Sequence, residues 1–358
     1  MRIIVDTAHP ANVHYFKNFI FEMKKKGHSI FITARNKDIS FKLLKDYGLD
    51  YYDMGTGIIG KGIIGKILYV IYAVFLMLKQ FIKFKPEIVI SFSSSYAAHA
   101  CFLYGIPHIT FEDTEHAKAN ILLYKFFSDM IITPNSFYEN LGKNHFRMNS
   151  FMELFYLHKN RFIADNSNLK KLGFDLSKPF VLFRFVSWQA FHDIGQKGLS
   201  LSDKVELIKY CSKFYNVYIS SESDDLPDEI KKYNLAIPAT EIHNVLYFAS
   251  IYIGEGGTMA SESAVLGTPA IYINSLPLMG YLQNAKSNNL LFHLSDYDEI
   301  VNCINKIRNT DLKEIDRNLS KFLENKIDST AFLIWLTEKY PNSKKLLIND
   351  IEYMNKFR

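Results

Sequence analysis

Short apolar runs alternate with longer stretches of helical periodicity through most of the chain. Residues 2–7 form the first run, ended by Ala8-His9-Pro10. Residues 13–26 follow, with Phe16, Phe19, Ile20 and Met23 three or four apart and so on one helical face, and Gly27 closes the segment. A second strand is expected at 29–33 and a second helix at 39–47, stopped by Gly48. Further strands are expected at 87–91, 108–111 and 130–133, and helices at 63–84, 96–104 and 119–127. Around 149–165 the polar composition breaks the pattern. It restarts with strands at 180–185, 217–221, 251–254 and 270–273, helices at 202–214, 243–249 and 259–266, and a last helix at 331–339. This spacing predicts parallel sheets with helices on both faces.

A chain of 358 residues suits two such domains. The expected division is 1–158 for the first, 159–335 for the second and 336–358 for a helical tail. Two doubly wound domains place a ligand at the C-terminal ends of their strands, in a cleft between them. The 48% apolar and 22% charged composition is that of a globular protein. A net charge of +5 suits anionic small ligands or surfaces and does not point to a nucleic-acid partner. Cys101, Cys211 and Cys303 lie too far apart for a metal-ligand motif, and nothing opposes a reducing cytoplasm. The N-terminus reads as a strand rather than a signal peptide. Residues 67–78 are almost wholly apolar between Lys66 and Lys79. Twelve residues fall short of the ~20 that span a bilayer, so 63–84 is expected as a helix half buried in the core.

The most informative text is Gly254-Glu255-Gly256-Gly257-Thr258-Met259-Ala260-Ser261-Glu262, between an apolar strand and the turn Gly267-Thr268-Pro269. Glycines let a backbone approach phosphate closely, and the first amides and dipole of the following helix favour a diphosphate. Thr258 can cap that helix or donate to phosphate. Glu262, one turn on, can accept from two ribose hydroxyls. The bland alternative is a plain strand-turn-helix connection.

With these residues in place, the segment resembles the nucleotide-sugar site of GT-B glycosyltransferases such as the MurG group, and that of the non-hydrolysing UDP-N-acetylglucosamine 2-epimerases. The resemblance implies a GT-B fold, a diphosphate held at Gly256, Gly257 and Thr258, and a ribose held by Glu262. The whole chain is more similar still to a bacterial and archaeal family of unknown function. That likeness rests on His9-Pro10-Ala11-Asn12-Val13-His14-Tyr15-Phe16, Asp113-Thr114-Glu115-His116, Arg184-Phe185-Val186-Ser187-Trp188 and the glycine segment. It implies a fold and a ligand class, and no established reaction.

Other strand-end loops carry candidate chemistry. Asn12 and His14 follow the first strand; His14 suits a base near neutral pH, or else Asn12 caps the helix and His14 lies on its surface. Glu112, Asp113, Glu115 and His116 follow another strand, as a base whose pKa is tuned by crowded carboxylates, or as a solvated cap. Arg184 and Ser187, with Trp188, His192 and Asp193 nearby, suit a diphosphate. Ser220-Ser221-Glu222 and His243 are expected to line the nucleotide pocket, with the base near 237–244.

The expected function is sugar transfer from a nucleoside diphosphate donor, a UDP-sugar first, to a glycan or lipid-linked acceptor. No cofactor is expected, and no bound metal, as the resemblance implies, although Asp224-Asp225 and the Asp113 loop hold carboxylates. A 2-epimerase and a non-catalytic nucleotide-sugar binder are the rivals. Phe185-Val186-Ser187-Trp188 departs from the arginine-rich text of the epimerases at that place. Lys61, Lys66, Lys79, Lys83 and Lys85 border the apolar helix. Likeness to the MurG group implies peripheral contact with the inner face of a membrane; the alternative is a core helix with solvated lysines.

Overall fold

A computed structural model describes residues 1–56, 59, 62–185, 199–221 and 226–358, without the side chain of Ile63. These form two compact units, one of Met1–Arg161 with Asn325–Arg358 and one of Phe162–Glu324.

In the first unit, β1 (Arg2–Thr7), β2 (Ser29–Ala34), β3 (Tyr52–Asp53), β4 (Ile88–Phe92), β5 (His108–Phe111), β6 (Met130–Pro134) and β7 (His145–Met148) form one parallel sheet, ordered β3-β2-β1-β4-β5-β6-β7. Ile3, Ile4 and Val5 are wholly buried, because a parallel strand at the centre of such a sheet is covered on both faces. Right-handed crossovers run in opposite directions from β1. They put α1 (Pro10–Lys25) and α2 (Ser40–Asp46) on one face, and α3 (Gly62–Phe84), α4 (Ser95–Tyr104) and α5 (Lys118–Tyr124) on the other.

The second unit is a five-stranded parallel sheet of β8 (Phe180–Arg184), β9 (Asn216–Ile219), β10 (Ile251–Gly254), β11 (Ala270–Ile273) and β12 (Leu291–Leu294), ordered β12-β11-β10-β8-β9. Its helices are α6 (Leu201–Cys211), α7 (Asp228–Lys231), α8 (Ile242–Phe248), α9 (Gly257–Val265), α10 (Gly280–Ser287), α11 (Tyr297–Arg308) and α12 (Leu312–Leu323). A reciprocal capping box starts α6: Ser200 Oγ accepts from the Asp203 amide at 3.1 Å while Asp203 accepts from the Ser200 amide at 3.3 Å. The core joins Val181, Phe183, Ile251 and Ile253 of the sheet to Leu207, Ile208, Ile300 and Ile304 of the helices.

After α12 the chain returns to the first unit. There α13 (Ser329–Glu338) packs on α1 and is followed by α14 (Asn342–Asn349). Asp328 caps α13 by accepting from the Ala331 amide at 3.0 Å, and its other oxygen accepts from Arg161 Nε at 2.8 Å. The sequence predicts a helical tail from 336 and no return to the first domain; by compactness the second unit ends at Glu324, and the chain from Asn325 onward, with the helix expected at 331–339, belongs to the first unit.

The expected half burial of 63–84 needs a larger correction. In the most apolar 18-residue stretch of α3, 28% is buried. Tyr69, Ala73, Met77 and Phe81 fill the core beneath it, while Ile64 and Phe75, on other faces, are 73% and 69% exposed.

Candidate functional site

A doubly wound sheet opens a crevice where its strand order reverses, at the C-terminal ends of the strands. In the second unit that place lies between β8 and β10, from which the chain leads to opposite sides. The residues ending these two strands, Arg184 and Gly254, are partners in the register. Arg184 Nη1 donates to Ser220 Oγ at 2.7 Å, which fixes the guanidinium at the strand end. Ser221 follows, partly exposed, just past the end of β9. Ser187, Trp188, His192, Asp193, Glu222, Asp224 and Asp225 lie outside the described residues, as does Lys61.

The glycines of the turn differ in what demands them. A Cβ on Gly254 would stand 2.4 Å from both the Arg184 carbonyl and the Tyr252 hydroxyl, so packing alone excludes a side chain. A Cβ on Gly256 would meet nothing nearer than 3.9 Å, and one on Gly257 nothing nearer than 3.5 Å. Packing leaves room at these two positions, and their bareness opens the approach to the first turn of α9. Gly254→Ala is therefore expected to cost about 1–3 kcal/mol by overpacking, a fall in Tm of roughly 2–12 °C. Gly256→Ala, at the N-cap of α9, should lower Tm by no more than roughly 2–4 °C and weaken nucleotide binding as well. Melting curves with and without nucleotide separate the two.

Helix α9 begins at Gly257, two residues before the expected start, with Gly256 as its N-cap and no side-chain cap bond. Thr258 is thus inside the first turn and does not cap it. The first-turn amides have no acceptor within the helix, and they and the dipole face the strand end. One turn further on, Glu262 is buried and its Oε1 lies 3.0 Å from His243 Nε2. His243 comes from α8, entered through the 237–244 segment expected near the base. The structure so brings Arg184, Gly256, Gly257, Thr258, Glu262 and His243 to one edge of one unit.

Two residues here carry no signal in the sequence. Lys204, buried on α6, pairs with Glu255 of the turn at 2.6 Å and lies over the Phe185 ring at 4.8 Å. The Tyr252 hydroxyl is buried beneath Gly254, and among the described residues no hydrogen-bond partner is found for it. Strand alternation aims Tyr252 there, away from the core face of Ile251 and Ile253.

In the first unit the strand order reverses between β1 and β4. His9, not Asn12, caps α1, its Nδ1 accepting from the Ala11 amide at 3.2 Å. Burial, with Lys37 nearby, brings the His9 imidazole down to about 4, so it is neutral at pH 7 and able to accept. Asn12 instead turns back and accepts from the Ala8 amide at 3.2 Å. His14 is not on a helix surface: it is buried, stacked on Tyr156 at 5.4 Å, with Nδ1 3.2 Å from the Tyr47 hydroxyl.

The loop after β5 is not a solvated cap, since Glu112, Asp113 and Glu115 are all buried. Glu112 accepts from the amides of Asp113 and Thr114 at 3.0 and 2.9 Å, from the Tyr124 hydroxyl at 2.6 Å and from Ser93 Oγ. Those four donors make it the structural hub of the loop. Among the described residues Asp113 receives only Thr114 Oγ1, at 2.9 Å. Burial first, then the charges of Glu112, Glu153 and Glu115, push the Asp113 carboxyl well above its usual range. Glu153 arrives from the 3-10 turn Met152–Phe155, and nothing in the neighbouring sequence distinguishes it. His116 is exposed. Among the described residues no three His, Cys, Asp or Glu side chains are arranged to hold a metal ion.

A carboxyl raised on folding stabilises the fold while protonated and loses that contribution as pH rises through its folded value. Asp113→Asn, which carries no such proton, should therefore gain Tm relative to the parent as pH is raised from about 5 to about 8. An equal difference in Tm at both pH values would show that Asp113 titrates normally.

The fold is shared with a solved UDP-GlcNAc 2-epimerase and a solved rhamnosyltransferase. The UDP-GlcNAc 2-epimerase of Neisseria meningitidis, solved bound to UDP-GlcNAc, superposes with a TM-score of 0.67 at 11% identity, over 93% of this chain and 98% of its own. The spinosyn rhamnosyltransferase SpnG superposes with a TM-score of 0.62 at 12% identity, over 95% and 100%. These likenesses establish the GT-B fold, two parallel sheets each flanked by helices. In sequence, the chain is 25% identical over 312 residues to the uncharacterized protein MJ0665 of Methanocaldococcus jannaschii, covering 84% of this chain and 89% of that one. Residues 1–331 match the profile of a family described as a protein of unknown function, DUF354, and the chain belongs to that family.

Proposed function

We propose that the protein binds a nucleoside diphosphate sugar at the β10–α9 edge of its second unit and transfers the sugar to a hydroxyl of a glycan or lipid-linked acceptor. The observation that carries this reading is the open glycine turn at the strand-order reversal, with Arg184 at one side and the Glu262–His243 pair one helical turn behind it. The α9 amides and Arg184 would take up the charge that grows on the departing diphosphate. In the transfer, the bond from the anomeric carbon to the diphosphate oxygen breaks and its electron pair leaves with the nucleoside diphosphate. The acceptor oxygen forms the new bond, and its proton passes to a base. Asp113, Glu115 and His14 of the first unit are the proposed candidates; His116, being exposed, is the least suited.

A second reading, 2-epimerisation, is favoured by one feature. Three carboxylates, Glu112, Glu115 and Glu153, act on the buried Asp113 carboxyl in the first unit, and such a set suits proton transfer to and from the sugar itself. Nucleoside diphosphate release from UDP-, GDP- and CDP-sugars, measured with and without added glycan or glycolipid, tests the proposal. Transfer predicts release that rises with acceptor. Epimerisation predicts a changed sugar with no acceptor requirement, and no turnover under either condition contradicts both.

A further inference from the structure

The outer layer formed by α3, α4 and α5 presents apolar residues to solvent where a surface helix carries polar ones. On α3 the core takes the stripe Tyr69, Ala73, Met77 and Phe81. Outside that stripe stand Ile64, Ile67, Ile71, Phe75 and Ile82, each more than half exposed. The surface continues sideways, because α3 packs on α4 and α4 on α5. Phe81 and Tyr104 meet edge to face across the first junction at 5.6 Å. Leu103 of α4 is 67% exposed, and Phe126, just beyond α5, is 69% exposed. Scattered exposed apolar residues are ordinary, but a contiguous field on three neighbouring helices marks a partner surface.

Charge and shape decide which partner. Over Gly62–Phe84, Ser95–Tyr104 and Lys118–Tyr124, the only Lys, Arg, Asp or Glu residues are Lys66, Lys79, Lys83 and Lys118. A second copy on a two-fold axis would bring these lysines against one another. An anionic lipid surface complements them, and the aromatic edges at Tyr72, Phe75, Phe102 and Tyr104 suit the headgroup boundary. Helix α3 is long and apolar enough to cross a membrane. Crossing would pull Tyr69, Ala73, Met77 and Phe81 out of the core of the sheet, so the helix lies along the surface instead.

We propose that the α3–α4–α5 face docks on an anionic bilayer, its apolar residues entering the headgroup boundary and its lysines meeting lipid phosphates. The observations behind this are independent of the nucleotide site.

Co-sedimentation of the full chain with phosphatidylcholine vesicles, with and without about 30% phosphatidylglycerol, tests it. Binding should favour the anionic vesicles and fall at about 0.5 M salt. Ile71→Glu with Phe75→Glu, both outside the core stripe, should reduce partitioning at least about tenfold. Lys66→Gln with Lys79→Gln and Lys83→Gln should cut the preference for anionic vesicles about fivefold per lysine. Cooperative melting without lipid or nucleotide, at a Tm near the parent's, would show the variants folded. No sedimentation of the parent with either vesicle overturns the proposal. So does a dimer in lipid-free solution that Ile71→Glu with Phe75→Glu dissociates, since it assigns the face to a second copy.

Discussion

Replacing Glu262 with alanine is expected to weaken nucleotide binding about a hundredfold or more. A carboxylate that accepts from two ribose hydroxyls makes two charge-assisted hydrogen bonds, each worth about 1.5–3 kcal/mol. The side chain is also poor at compensating for its own loss. It is buried with its Oε1 against His243 Nε2, so truncation leaves a buried imidazole without that neighbour and costs stability as well. Glu262→Gln separates the two effects. The amide can keep a bond to His243 and hold the helix in place, yet it accepts at only one atom and carries no charge. Stability near the parent's with nucleotide affinity reduced tenfold or more is the outcome expected for the glutamine. Parent-like affinity in both variants would remove Glu262 from the ribose site and leave its pair with His243 as a purely structural contact.

The second large effect concerns Asp113. Asp113→Asn is expected to lower turnover by about 10²–10⁴ while nucleotide affinity, proposed to reside in the other unit, stays within a factor of two or so. The physical reason is its setting. It is buried, and three other carboxylates raise the cost of its ionisation, so it holds its proton to a pH well above the ordinary carboxylate range. Glu112 lies beside it in sequence and differs in role, because four donors already occupy its oxygens. Glu112→Gln should therefore damage folding of the loop more than it damages chemistry in whatever protein remains folded. Kinetics and melting of the two variants side by side would distinguish a catalytic carboxyl from a structural one. Full turnover in Asp113→Asn moves the base to Glu115 or His14.

The sequence made some of this legible, for local reasons. The β10–α9–β11 segment could be read because its signals are short-range: three glycines, a helix start and a Gly-x-Pro stop within about twenty residues. Even so, the helix starts at Gly257 rather than 259, since glycines at its first positions disguise the beginning. Strands β3, β7 and β12 were not recognised. Tyr52–Asp53 is two residues long, and His145–Met148 and Leu291–Leu294 each mix in polar side chains. Helices α10, α11 and α12 were also missed, although α11 and α12 carry clear helical periodicity, with Ile300, Ile304 and Ile307 on one face of the first and Leu312, Ile315, Leu319 and Phe322 on one face of the second. Side-chain partnerships across the unit were beyond reach. Nothing about Lys204 or Glu153 in sequence says that one meets Glu255 and the other crowds Asp113. Helix α3 misled for a related reason. An all-apolar helix reads as core, and only the placement of its neighbours shows that the sheet covers one stripe and leaves the rest bare. The return of the chain at 324/325 was hidden because α13 packs on α1, more than 300 residues earlier in the chain.

The central claim is that the β10–α9 edge holds a nucleoside diphosphate, and the most direct measurement is the melting temperature of the parent protein against UDP, GDP, CDP and UDP-N-acetylglucosamine. A ligand at a hundred times its Kd adds about 2.7 kcal/mol to the folded state, a rise of roughly 5–11 °C for a unit of this size. Such a rise is expected with one nucleotide family, smaller in Gly256→Ala and cut to about half or less in Glu262→Gln at the same ligand concentration. No rise with any of them at millimolar concentration would contradict it.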